Sequence, residues 1–173
     1  MLLKCIGIII LMAACGMFGF SLSYDYIMRM KNLEQLRKML LLLQGEIKHK
    51  NSGISEAIKN VSIQMENGMG DFLKYVSQKF RKENITIKAA WNMGIDDFLK
   101  KRSKLIEKDL TIIRELGGSL GVTDRETQIH NIHNCMDIIG ITINELNVAK
   151  GEKCRLYRTL GVMAGAFMAI VFI

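Results

Sequence analysis

The sequence predicts an all-α protein, a helical bundle domain between an N-terminal and a C-terminal transmembrane helix. Three observations predict it. Proline is absent from the 173 residues, and aromatic residues make up only 7%, whereas turns and sheet edges usually recruit proline. Apolar residues recur at spacings of three and four along the middle of the chain, the period of one helical face. Both ends are free of charge: Cys5 to Tyr24 is a run of 20 such residues, and Thr159 to Ile173 a run of 15.

The elements follow in order. At about 1.5 Å per residue the first run is roughly 30 Å long, the thickness of a bilayer's hydrocarbon core. Residues 1–24 are therefore expected to form the first transmembrane helix. The chain should continue from it as a helix in which Leu36, Leu40, Leu43 and Ile47 share a face. Lys50, Asn51, Ser52 and Gly53 mark a break with Ser52 as the next cap, and Asn67 to Gly70 a second turn. Further helices are expected over 71–82, 86–101 and 103–116. Gly117, Gly118, Ser119, Leu120 and Gly121 form the clearest break in the chain.

The last helix carries the strongest pattern. Thr123 precedes Glu126 by three residues, the spacing of a capping box. Ile129, Ile132, Met136, Ile139, Ile143 and Leu146 then form a heptad seam that buries against a partner helix. No strong breaker follows, so one helix of roughly 75 Å is expected from Asp124 to the end. Its last 15 residues, 159–173, would form the second transmembrane helix; at roughly 22 Å it is short and needs bilayer thinning or snorkelling by Arg155 and Arg158. Within it Gly161 and Gly165 make a GxxxG element, a surface for close helix contact.

The formal net charge is +7. Arg29, Lys31, Arg37 and Lys38 follow the first apolar run, and Lys150, Lys153, Arg155 and Arg158 precede the second. Lys and Arg resist translocation, which places the intervening domain, 25–158, in the cytoplasm. Anionic membrane lipid accounts for the basic excess without nucleic acid. Four cysteines without a CxxC pair signal neither a disulfide framework nor a cysteine zinc site. The box Met12-Ala13-Ala14-Cys15 offers a rival reading, an extracytoplasmic lipoprotein, but the chain stays apolar after Cys15.

Candidate chemistry is sparse. Glu126, His130, His133 and Asp137 follow at spacings of four, three and four on one helical face. Imidazole and carboxylate at such spacing suit zinc or manganese, which gives a metal-binding sensor or enzyme as an alternative function. The same run is also what the solvated flank of an amphipathic helix looks like. There is no phosphate loop and no nucleophile elbow. Asp96 and Asp97 are adjacent on a helix and so point about 100° apart, which keeps them from sharing one site. The chain is expected to be no enzyme and to need no cofactor.

The sequence resembles the stage III sporulation protein AB family of endospore-forming bacteria. The resemblance rests on Leu120-Gly121 with Asp124, Arg125 and Gln128, and on Tyr157 to Gly161, with Glu46-Ile47, Glu56-Ala57 and Trp91 as further family positions. Gly53-Ile54 stands where the family commonly has Pro-Leu. The resemblance implies a structural membrane platform of the channel between mother cell and forespore, similar to type II secretion F-type platform domains. It implies residence in the mother-cell membrane around the forespore. The partners it implies are other channel subunits, including a cytoplasmic secretion-type ATPase, stage III sporulation protein AA; a homo-oligomer is also compatible. Leu120, Gly121, Asp124 and Gln128 are then the candidate partner contacts, although the physical reading gives them the job of stopping one helix and starting the next.

Overall fold

The computed structural model describes residues 2–49, 53–65, 68–121 and 123–172, without the side chains of 2–6, 8–13, 168, 169, 171 and 172. Every regular element among the described residues is a helix. The order is α1 (Leu2–His49), α2 (Ile54–Gln64), α3 (Gly68–Glu83), α4 (Ile87–Gly94), a π-helical turn (Ile95–Leu99), α5 (Lys100–Arg102), α6 (Glu107–Ser119) and α7 (Arg125–Phe172). They form two compact units: Lys31–Asn144, and Met1–Met30 together with Glu145–Ile173. Helices α1 and α7 contribute to both.

In the 31–144 unit the α1 seam is fully used: Leu36, Leu40, Leu43 and Ile47 are all buried. So are Ile132, Met136 and Ile139 of the α7 seam. Trp91 and Phe72 fill the centre, edge to face with ring centroids 5.0 Å apart, a geometry aromatic quadrupoles favour. The Trp91 indole N–H donates to the Ile113 carbonyl at 2.9 Å, which ties α4 to α6. The π turn places Ile95 and Leu99 in the core while Asp96 and Asp97 face out. Asp96 meets Arg114 at 2.8 Å, and Asp97 accepts from Tyr75 at 2.9 Å and Lys101 at 3.0 Å. The two neighbouring carboxylates thus serve separate partners.

Buried polar groups here have structural work. Glu46 accepts from the Asn60 and Gln64 side-chain amides, each at 3.0 Å, which fastens α2 to α1. The Asp109 carboxylate accepts from the Ile106 amide at the start of α6. Helix α3 ends where Asn84 takes a φ of 48°, a left-handed conformation that asparagine tolerates.

Several boundaries differ from expectation. Gly117, Gly118 and Ser119 do not break the chain but complete α6, and the stop comes at Leu120. The close fit of Gly117 to Trp91 explains a glycine inside a helix: a Cβ there would lie 2.9 Å from the indole Cγ. The start of α7 is capped by Asp124, not Thr123. Asp124 accepts from the Thr127 amide at 3.1 Å and from its hydroxyl at 2.7 Å, whereas Thr123 donates back to the Ser119 carbonyl. The expected cap Ser52 and the turn residues Lys50, Asn51 and Asn67 lie outside the described residues.

The second unit packs the ends of α1 and α7 together. A Cβ on Gly161 would lie 2.9 Å from the Cys15 carbonyl oxygen and 3.1 Å from Gly19 Cα, so the two backbones touch where neither residue carries a side chain. Gly165, one turn on, is buried. Tyr26 donates to the Leu146 carbonyl at 2.8 Å, and the Arg158 guanidinium lies 5.0 Å from the Phe20 ring centroid. Met17, Phe18, Phe20, Val162, Met163 and Phe167 are exposed.

The expected transmembrane helices at 1–24 and 159–173 require correction. Among the described residues no helix is long and apolar enough to cross a membrane. The C-terminal run is too short for the roughly 30 Å that a span needs, and much of the N-terminal run falls on side chains outside the described ones. With these helices go the membrane-platform reading, the assignment to the mother-cell membrane and the topology that put 25–158 in the cytoplasm. Cys15 lies inside α1, with its carbonyl against Gly161.

Candidate interaction site

The four residues singled out from sequence sit together at the corner between α6 and α7. Leu120 leaves the helix in an extended conformation and is buried. Gly121 follows with φ of 79°, and a Cβ there would lie 3.2 Å from Ile87 Cδ1; L side chains rarely adopt that backbone conformation. The Asp124 carboxyl is held below the usual carboxylate range by the Thr127 hydroxyl, then by its amide. Gln128 is buried and donates to the Thr123 carbonyl at 2.6 Å. Of the four, only Gly121 and Asp124 are open to solvent. The corner is built to reverse the chain.

A more open feature lies beside it, a groove between α1 and α7 within the 31–144 unit. It consists of two hollows that share Gln44 and His133. One, of about 470 Å³, is lined by Lys48, Arg125, Glu126, Ile129 and His130 as well. The other, of about 550 Å³, adds Glu34, Arg37, Lys38, Leu41, Met136, Asp137 and Ile143. From Glu34 to Lys48 the α1 wall covers 15 residues of helix, roughly 21 Å from first to last.

Three contacts fix how the walls are aligned. Arg125 donates to the Lys48 carbonyl, Gln44 donates to the Ile129 carbonyl at 3.3 Å, and Arg37 lies over Gly140, its Nε 3.6 Å from where a Cβ would stand. The antiparallel walls therefore match Lys48 with Arg125, Gln44 with Ile129 and Arg37 with Gly140. Leu41, between these levels, is 58% exposed although it stands among four consecutive leucines.

The polar stripe on α7 forms the other lip of this groove. His130 contacts Asn134 at 3.1 Å, and His133 meets Asp137 at 3.5 Å; Glu126 is exposed. The side chains pair along the helix and do not converge. Among the described residues no three His, Cys, Asp or Glu side chains come together to hold a metal ion. The metal-binding sensor or enzyme is thereby corrected: spacing put four donors on one face, but a straight helix gives them no common centre.

Sequence reasoning missed the α1 half of the groove. Its only signal was the leucine run from Met39 to Leu43, where the seam accounts for Leu40 and Leu43 and leaves Leu41 facing away from the core.

Comparison with known proteins bears on what such a helical unit belongs to. A family model described as Stage III sporulation protein AB matches residues 4–173. The chain belongs to the stage III sporulation protein AB family. Stage III sporulation protein AB of Bacillus subtilis (strain 168) is similar to it at 21% identity over 170 residues, covering 98% of this chain and 99% of the relative. A solved structure of stage III sporulation protein AB shares the fold, with a TM-score of 0.65 at 19% identity, over 72% of this chain and 98% of the solved one. Of the stage III sporulation protein AB positions noted in the sequence, Trp91, Ala57, Ile47 and Glu46 are all buried, and their work is packing and the fastening of α2 to α1.

Proposed function

We propose that this chain is a non-catalytic subunit of a sporulation complex and works through protein–protein contacts of its 31–144 helical unit. A secretion-type ATPase, stage III sporulation protein AA, is the partner proposed for it. The observation that carries the reading is the family match from residue 4 to 173. The groove between α1 and α7 adds physical support. Exposed Leu41 within a rim of charged residues has the composition of a protein interface, with an apolar centre and a polar border.

The test is a titration of the purified 173-residue chain with the purified ATPase, followed by light scattering or interferometry. Saturable binding by a chain of native helicity is the expected result. No binding at micromolar concentrations, with folding intact, overturns the proposed partnership.

A further inference from the structure

We propose that the groove between α1 and α7 is the seat of a second copy of this chain, packed about a two-fold axis that runs along the groove. The inference rests on reading the groove as a protein interface and names its occupant. The axis lies parallel to the helices, so it keeps each level of the groove at the same height in both copies. It exchanges the walls: α1 of one copy faces α7 of the other.

The walls are complementary under that operation. The α1 wall carries Lys38 and Lys48, and the α7 wall Asp137 and Glu126, at matching heights. Arg125 at the Lys48 carbonyl puts Glu126 at the level of Lys48. Arg37 over Gly140 puts Asp137 near the level of Lys38, and both line the same hollow. Each copy thus sets Lys48 against a partner Glu126 and Lys38 against a partner Asp137, and the two-fold makes both contacts twice. Among the described residues Lys38, Lys48 and Glu126 take no ion pair within the chain. Leu41, exposed between the two charge levels and nearer that of Lys38, then meets the groove of the other copy.

An antiparallel pairing with the axis across the groove is poorer. Centred on Leu41 it places Glu34 over Lys48 of the other copy but sets Glu126 near Ile141. Isologous interfaces need the same patch on both partners to match itself, and charge placement selects among registers more than it adds affinity.

The experiment is sedimentation velocity on the full 173-residue chain in a non-ionic detergent, which keeps exposed Met17, Phe18 and Phe167 from driving association. The wild-type chain should dimerise reversibly. Lys48→Glu alone and Glu126→Lys alone should each weaken the dimer by at least about tenfold, and the double exchange should bring it back to within about threefold of wild type. Lys74→Glu, on exposed α3 surface, controls for net charge and should leave the constant unchanged. Circular dichroism confirms that each variant is folded. A monomeric wild-type chain overturns the proposal, as does a dimer indifferent to both reversals, or one that Lys48→Glu weakens and the double exchange fails to restore. ATPase binding is measured separately, so loss of one result leaves the other standing.

Discussion

Gly117 and Trp91 share one space: a Cβ on Gly117 would lie 2.9 Å from the Trp91 Cγ and Nε1 atoms. The indole is locked from two more sides, by the Ile113 carbonyl and by the Phe72 ring, so it has nowhere to go. Gly117→Ala gains up to about 1 kcal/mol of helix propensity but overpacks the core, which typically costs about 1–3 kcal/mol. A net loss of stability is expected in urea unfolding, with an unchanged m-value. Stabilisation by this change would contradict the packing described.

Removing the ring itself should matter more. Trp91→Ala empties the centre of the 31–144 unit, for which about 3–5 kcal/mol is expected. Trp91→Phe keeps most of the volume and loses the hydrogen bond to Ile113, about 1 kcal/mol. The order of the two in thermal unfolding tests whether packing or the indole N–H dominates.

Glu46 is buried with two amide donors on its carboxylate. Glu46→Leu removes the acceptor of the half-buried Asn60 amide, while the exposed Gln64 amide turns to water, and a loss of about 1 kcal/mol is expected from the lost hydrogen bonds. Glu46→Gln retains an acceptor and should be milder. Hydrogen exchange should place the loosening in α2, which is fastened to α1 there.

Acid should weaken the fold through carboxyls held low in the native state. Arg114 lowers Asp96, and the Thr127 hydroxyl and amide lower Asp124. A carboxylate of depressed pKa stabilises the fold above its unfolded pKa, and that contribution disappears as pH falls through the folded value. Stability is therefore expected to be level near neutrality and to decline below about pH 4. Asp124→Asn, which keeps a capping oxygen, should flatten part of that decline in a series of thermal melts.

Cys135 is buried, and its thiol is pushed up to about 12 by burial first and then by Glu115. A thiol that stays protonated is a poor nucleophile. Under native conditions at pH 8 it should resist a thiol reagent that modifies it readily in urea, as peptide mapping after timed labelling would show. Rapid native labelling would mean that the α6–α7 contact opens.

Much of the helical unit was legible in the sequence because it rests on periodicity. The α1 seam Leu36–Ile47 is buried as its spacing requires; of the α7 seam Ile129–Leu146, Ile132, Met136, Ile139 and Leu146 are buried, whereas Ile129 and Ile143 are half-buried and line the groove. Hidden features depended on contacts made far along the chain. Nothing local reveals that Gly117 and Gly118 remain helical; at Gly117 it is Trp91, 26 positions earlier, that selects glycine. Asp124 displaced Thr123 as the cap because Thr123 turns back to the Ser119 carbonyl. The charge-free ends were read as spans on length and composition, and among the described residues no helix meets that requirement. At the candidate site the α7 stripe was visible as a pattern, but which side of the leucine run faced outward on α1 was not.

The central claim is that this chain is a structural subunit needed for sporulation. The most direct measurement is the count of heat-resistant spores from its host after deletion of the gene, with complementation by the wild-type sequence and by Trp91→Ala. The account predicts that spores are lost on deletion, restored by the wild type and poorly restored by the variant with the emptied core. Undiminished heat-resistant spores in the deletion strain would contradict it.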